Sequence, residues 1–312
     1  MLLLHLSGVD ETQWAERFRA ALGDTPVVRR GEGYNPADIR YIFVWKPVPD
    51  AFDGLTGLKA VLSLGAGVDA LLTHIRLPDV PIVRFVDEDL SQRMSDYVVA
   101  QVTMHHRHLT RYRADQKARV WSTFFPPAAR EVCVGLMGLG VLGQDALLRL
   151  RPLGYELRGW SRGRTVIEGV TCFAGAEEFD AFLAETDILV CLLPLTPKTK
   201  GILNKDTFAK LRRGRLHGGP AIVNAARGGH QVETDIADAL ADGTLGAASL
   251  DVFETEPLPS SSPLWGIESC YVTPHIAAIS GVESGVNYFA RVIRDHEAGR
   301  PLPNVVDRQR GY

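Results

Sequence analysis

Along this chain, short continuous apolar runs alternate with amphipathic stretches. "LLLHLS" is followed by "ETQWAERFRAAL", and then come "IRYIFVW", "LKAVLSLG" and "VPIVRFV". Apolar runs joined by crossover-length segments predict strands of a parallel sheet. From Leu90 to about Trp121 the sequence "LSQRMSDYVVAQVTMHHRHLTRYRADQKARVW" holds neither Gly nor Pro. That predicts a single helix much longer than usual, suited to bridging two domains or packing in a subunit interface. "FFPPAAR" then ends it. A second series follows, with six predicted strands at "VCVGLMG", "YELRGW", "DILVCLLP", "AIVNAA", "AASLDVF" and "CYVTPH". Helices are expected between them, at "EEFDAFLAET", "DTFAKLR" and "TDIADALADG", and a last one at "GVESGVNYFARVIRDHEAG". Strands regularly interleaved with helices are what a doubly wound α/β domain requires.

At 312 residues the chain suits two domains or one large α/β domain, and 46% hydrophobic with 23% charged residues is ordinary globular composition. A net charge of -3 argues against nonspecific attraction to nucleic acid or an anionic membrane. The opening "MLLLHLSGVDETQW" is too short and too poorly flanked for a signal peptide, and no apolar run reaches spanning length, so a cytoplasmic protein is expected. Cys133, Cys172, Cys191 and Cys270 show no CxxC spacing and read as small hydrophobes in strands. "HHRH" places His105, His106 and His108 together without a carboxylate or cysteine at ligand spacing, so no metal site is expected and a solvated or interface face is.

"VCVGLMGLGVLGQDALLRL" sets Gly138, Gly140 and Gly143 between an apolar strand and a helix-forming run. Gly138 suits the tight turn, Gly140 the approach of a pyrophosphate, and Gly143 close helix-to-strand packing. The helix N-terminus beyond would supply N–H groups and partial positive charge. On this motif alone, methyltransferases and FAD enzymes stay open. In an NAD site, an acid at the end of the second strand binds the ribose 2′-OH. Here that place falls on Ser161, in "GWSRGR", with the cations Arg162 and Arg164 beside it. This arrangement complements a 2′-phosphate and predicts NADPH, with NADH as the alternative.

Three further motifs follow: "VNAARGG" with Arg227, "LDVFETEPLP" with Glu256 and "VTPHIAA" with His275. Each lies at or just beyond the end of a predicted strand, the edge where open α/β sheets bind ligands. Together with "SLGAGVDAL", "MSDYVVAQV", "GLMGLGVLG" and "LLPLTPKT", they make the chain resemble the D-isomer-specific 2-hydroxyacid dehydrogenases along nearly its whole length. "SRGR", "FVWKP" and "SPLWGIESCYVTPHIAAI" are most similar to the glyoxylate/hydroxypyruvate reductase A branch.

The resemblance implies a Rossmann-type doubly wound parallel sheet (99–281) plus a smaller flavodoxin-like α/β substrate domain (1–98 with 282–312). It implies that Arg227 holds the substrate's carboxylate and 2-oxo group, that His275 exchanges the proton, and that Glu256 pairs with His275. Gly138, Gly140, Val141, Leu142, Gly143, Ser161, Arg162, Leu193, Pro194 and Asp251 are implied to bind the cofactor, Asp251 at the nicotinamide carboxamide. Trp45, Ala66 and Gly67 join Arg227 as implied substrate-binding residues, the Gly65–Val68 loop offering backbone N–H groups to a carboxylate. Lys46 is expected to line the substrate pocket with Trp45, for which a core aromatic is the alternative reading. The expected partners are a small 2-oxo acid and a second copy of the chain, through the region of helix 90–121, with neither nucleic acid nor membrane. The rival readings are a dinucleotide-sensing corepressor on the same fold and a reductase of a different 2-oxo acid from glyoxylate or hydroxypyruvate.

Overall fold

The computed structural model describes residues 1–73 and 76–311, and they form two compact units. The smaller comprises 1–90 with 280–312, the larger 91–279. In the smaller unit the elements are β1 (Leu2–Leu6), α1 (Glu11–Leu22), β2 (Val27–Arg29), β3 (Tyr41–Trp45), β4 (Ala60–Ser63), α2 (Asp69–Leu72) and β5 (Ile82–Arg84). Next come α3 (Glu88–His106) and α4 (Leu109–Ala118), the former crossing the boundary between units. The larger unit continues with β6 (Cys133–Met137), α5 (Val141–Leu150), β7 (Glu156–Ser161), β8 (Thr171–Ala174), α6 (Phe179–Ala184) and β9 (Ile188–Cys191). It is completed by α7 (Lys205–Ala209), β10 (Ala221–Asn224), α8 (Glu233–Asp242), β11 (Ala247–Leu250) and β12 (Cys270–Val272). The last helix, α9 (Val282–Glu297), belongs to the smaller unit.

All pairings between these strands are parallel, and an isolated antiparallel bridge joins Val83 of β5 to Val305. The smaller sheet has the order β2-β1-β3-β4-β5 and the larger β8-β7-β6-β9-β10-β11-β12. These are the flavodoxin-like and Rossmann-like orders, each with a switch point where strand order reverses: between β1 and β3, and between β6 and β9. In the larger sheet, Val134 and Leu136 join one buried cluster with Ile188, Val190 and Val223, while Met137, Leu189, Cys191 and Ile222 join another on the opposite face. Burial on both faces explains why these strands read as unbroken apolar runs. In the smaller unit Trp14, Phe18, Phe43 and Phe289 form a ring cluster that packs α1 and α9 on one face of the sheet.

The structure departs from the sequence reading in five places. The larger sheet has seven strands among the described residues, and the smaller has five. The strands not foreseen, β8 and β2, are short and lie at sheet edges, where one side needs no continuous apolar run. The stretch 90–121 is two helices, because His108 adopts a left-handed conformation (φ 54°) between α3 and α4. The histidine cluster is buried: His105 shares a hydrogen bond with Ser249 Oγ (2.8 Å), and His106 reaches Tyr155 OH (3.0 Å) and Pro127 O (2.8 Å). The boundaries lie at 90/91 and 279/280 instead of 98/99 and 281/282, since Met94, Val98 and Val102 of α3 pack into the core of the larger unit.

Candidate active site

At the C-terminal edge of the larger sheet, β6 runs into the glycine turn. Gly138 has φ 102°, and a Cβ there would lie 2.6 Å from Leu192 O, so both conformation and space demand glycine. At Gly143 a Cβ would come within 1.9 Å of Gly138 O, which lets α5 sit directly on the turn. Around Gly140 there is open space where a phosphate can approach the backbone. Gly140 also caps α5 without a side-chain hydrogen bond. The three glycines therefore fit a dinucleotide by three different physical criteria.

Ser161 ends β7 next to this turn, since Trp160 pairs with Met137 and Gly138 N donates to Trp160 O (2.9 Å). Its hydroxyl donates to Gly163 O (2.8 Å) and lies 3.3 Å from Thr165 Oγ1, a second hydroxyl that motif reading passed over. Arg162 is exposed at the same loop. Arg164 is not held for a phosphate: it pairs with Glu178 and donates to Cys172 O (3.1 Å), which fixes the loop instead. Leu193 and Pro194 follow β9 across the switch point, and Pro194 O accepts from Thr199 Oγ1 (2.7 Å).

Arg227 lies in the turn after β10. That turn is shaped by the buried Asn224, whose Nδ2 donates to Gln231 Oε1 (2.8 Å) and Arg227 O (3.1 Å), while its Oδ1 accepts from Ala226 N (3.1 Å). Gln231 Nε2 in turn donates to Val252 O (2.9 Å), linking this turn to the segment that carries Glu256. Asn224 and Gln231 carried no motif signal beyond their place around "AARGG".

His275 Nδ1 is 2.8 Å from Glu256 Oε2, and Glu256 Oε1 accepts from Phe253 N (3.2 Å). The carboxylate is thus held from the backbone while it orients the ring. With Nδ1 so engaged, Nε2 is the nitrogen left to exchange a proton. The His275 backbone has φ 56°, a conformation that costs a non-glycine residue on the order of 1–3 kcal/mol and persists only where surroundings impose it. Asp251, buried just after β11, lies at the centre of those surroundings, and burial raises its carboxyl above the ordinary aspartate value despite the hydrogen bonds it accepts. Arg227, Glu256 and His275 sit on the turns after neighbouring strands β10, β11 and β12.

The smaller unit carries its own candidate residues at the C-terminal edge of its sheet. Trp45 ends β3, and the Gly65–Val68 loop with Ala66 and Gly67 follows the neighbouring β4. Trp45 is half-buried and packs against Gly65, where a Cβ would lie 2.8 Å from the indole ring. The Lys46 ammonium stands 5.8 Å from the centre of the Trp45 ring.

Residues 99–277 match the family model described as "D-isomer specific 2-hydroxyacid dehydrogenase, NAD binding domain". The glyoxylate/hydroxypyruvate reductase A of Yersinia enterocolitica is 40% identical over 96% of this chain and 96% of its own, and that of Escherichia fergusonii is 38% identical over 100% and 99%. Among solved structures, the NADPH-dependent glyoxylate/hydroxypyruvate reductase of Sinorhizobium meliloti in complex with NADP and sulfate matches with TM-score 0.94 at 45% identity, covering 100% of this chain and 99% of that one. The probable 2-hydroxyacid dehydrogenase of Rhizobium etli in complex with NADP, HEPES and L(+)-tartaric acid matches with TM-score 0.93 at 44% identity over the same shares. With a family-model match over more than half its length and relatives across nearly all of it, the chain belongs to the D-isomer-specific 2-hydroxyacid dehydrogenases, oxidoreductases that use NAD or NADP.

Proposed function

We propose that this protein reduces small 2-oxo acids, glyoxylate and hydroxypyruvate, to glycolate and D-glycerate, with NADPH as reductant. The observation that carries the reading is the pair of His275 Nδ1 and Glu256 Oε2 at 2.8 Å on the sheet edge that also bears Arg227 and the glycine turn. Gly138, Gly140, Val141, Leu142, Gly143, Ser161, Arg162, Leu193, Pro194 and Asp251 would hold the cofactor, which supplies a hydride to the carbonyl carbon. Arg227 presents a planar fork of donors to the carboxylate and 2-oxo oxygen and so fixes which face of the carbonyl is attacked. His275 Nε2 releases its proton to that oxygen as negative charge grows there, and Glu256 holds the ring in place through Nδ1. One hydride and one proton added to a 2-oxo acid give the 2-hydroxy acid. Trp45, Ala66 and Gly67 are assigned to substrate recognition, the backbone of the loop serving as an anion nest.

NADPH preference rests on Ser161 standing where a carboxylate would repel a 2′-phosphate, with Arg162 and Thr165 on the same loop. A homodimer through the α3–α4 region is part of the same proposal, supported by Trp121 and Phe125, which are 98% and 92% exposed after α4. A cytoplasmic setting suits four cysteines that are all free thiols. Oxidation of NADPH and NADH, followed by absorbance with each 2-oxo acid, tests the reading. The expected kcat/KM is roughly tenfold or more higher with NADPH, the worth of one charge-assisted contact. An equal or better value for NADH overturns the cofactor assignment. Tight cofactor binding without turnover of any 2-oxo acid overturns the reaction and favours a sensing role.

A further inference from the structure

The hold on His275 reaches beyond its own turn. Asp251 O accepts from His275 N (2.8 Å), Asp251 Oδ1 from Thr273 Oγ1 (2.6 Å) and Ile276 N (2.9 Å), and Asp251 Oδ2 from Ala277 N (2.9 Å). One aspartate therefore grips the backbone at His275 and the groups on both sides of it. Thr273 has a single hydroxyl proton, and the carboxylate takes it. The Tyr97 hydroxyl lies 2.8 Å from the same threonine oxygen, so Tyr97 has to be the donor there. The direction of the chain is thereby fixed: Tyr97 O–H to Thr273, Thr273 O–H to Asp251. Burial pushes the Tyr97 phenol far above its ordinary value, so the donor keeps its proton at any working pH.

We infer that Tyr97, on α3, is a positioning residue for His275 that acts through Thr273 and Asp251. Tyr97 stands in "MSDYVVAQV", a stretch that carries part of the family resemblance at the start of the predicted long helix, with no role assigned there to its tyrosine. Its hydroxyl does not contact His275; it completes the hydrogen bonding of the threonine that stations the aspartate. The same helix also contacts β11, the strand that leads to Asp251, where Ser249 Oγ donates to Gln101 Oε1 (2.6 Å) and lies 2.8 Å from His105 Nε2. The inference rests on His275 being the acid of the proposed reaction.

Steady-state kinetics of the intact enzyme with NADPH and glyoxylate test it. Tyr97→Phe removes one hydroxyl and is expected to lower kcat about three- to tenfold, with KM for the 2-oxo acid within twofold, because alignment of the acid is lost and substrate binding is kept. Thr273→Val is expected to lower kcat further, and Thr273→Ser, which keeps the hydroxyl, to restore most of it. The double variant Tyr97→Phe/Thr273→Val should match Thr273→Val alone, since the two residues act in series. A normal kcat for Tyr97→Phe, or a loss that adds in full to that of Thr273→Val, overturns the inference. So does a Tyr97→Phe variant whose melting temperature drops while kcat stays unchanged. His275→Ala separates the two levels: an active His275→Ala protein overturns the reading of the site, whereas an inactive one beside a normal Tyr97→Phe overturns the inference alone.

Discussion

Two turns at the same sheet edge hold unusual backbone conformations by opposite means. At the glycine turn, Gly138 takes φ 102° because it has no Cβ, and its neighbours need only leave it room. At the turn proposed to be catalytic, His275 takes φ 56° although it has a Cβ, and its backbone N–H is held by Asp251, which is 24 residues away in sequence. The first turn is specified locally and the second by tertiary contacts. A cofactor cradle needs only backbone and space, so glycine suffices. An acid must present a ring, so glycine is excluded and the strain has to be held from outside.

That contrast can be broken most sharply at His275. His275→Ala should lower kcat on the order of a thousandfold while leaving the Kd for NADPH within about threefold, as expected for loss of a general acid alone. Loss of cofactor binding on the same scale, measured by fluorescence titration, would mean that the two turns are not separable. Gly143→Ala should do the reverse at the other turn. Its Cβ would meet Gly138 O at 1.9 Å, so α5 must shift, with about 1–3 kcal/mol of stability lost and NADPH affinity reduced. A urea titration with and without NADPH would register both effects, and unchanged midpoints would show that the turn is slack.

Asp251→Asn keeps the shape of the side chain but removes the acceptor charge and turns an amide donor toward Thr273 or the N–H groups of Ile276 and Ala277. Turnover is expected to fall roughly ten- to a hundredfold, as for one or two lost charge-assisted hydrogen bonds. Crystals of the variant should show residues 273–277 displaced and residues 138–143 in place.

The smallest effect concerns the scaffold behind the second turn. His105, buried between α3 and β11, has its pKa lowered to about 4 from 6.5 by burial, so it stays neutral in the folded state. The unfolded chain then binds the proton first as pH falls below 6.5, and stability is lost in that direction. Between pH 6.5 and 5.5 the His105 contribution amounts to about 1 kcal/mol. Urea midpoints at the two pH values should differ less in His105→Gln than in the unmodified protein, and an identical difference would remove His105 from the account.

The fold was legible wherever burial on both faces wrote an unbroken apolar run, as at β6, β9 and β10. It was illegible at β2 and β8, where an edge relaxes that demand, and at His108, a non-glycine residue that breaks a helix through its surroundings. Of the candidate site, Gly138, Gly140 and Gly143 were readable with their separate duties, because each duty is a matter of local sterics. Arg227, Glu256 and His275 were readable as residue types on successive strand ends, but the contact between Glu256 and His275 was implied only by resemblance. Arg164 looked like a phosphate ligand beside Ser161 until the fold brought Glu178 to it.

By itself, then, the sequence determined what depends on near neighbours along the chain: strand and helix identity, the glycine turn, the absent carboxylate at Ser161 and the order of the three candidate catalytic motifs. Only the tertiary structure decided how His275 is held. Tyr97, Thr273 and Asp251 come from three separate segments, and a hydrogen bond between residues as far apart as 97 and 273 leaves no periodicity or spacing to read.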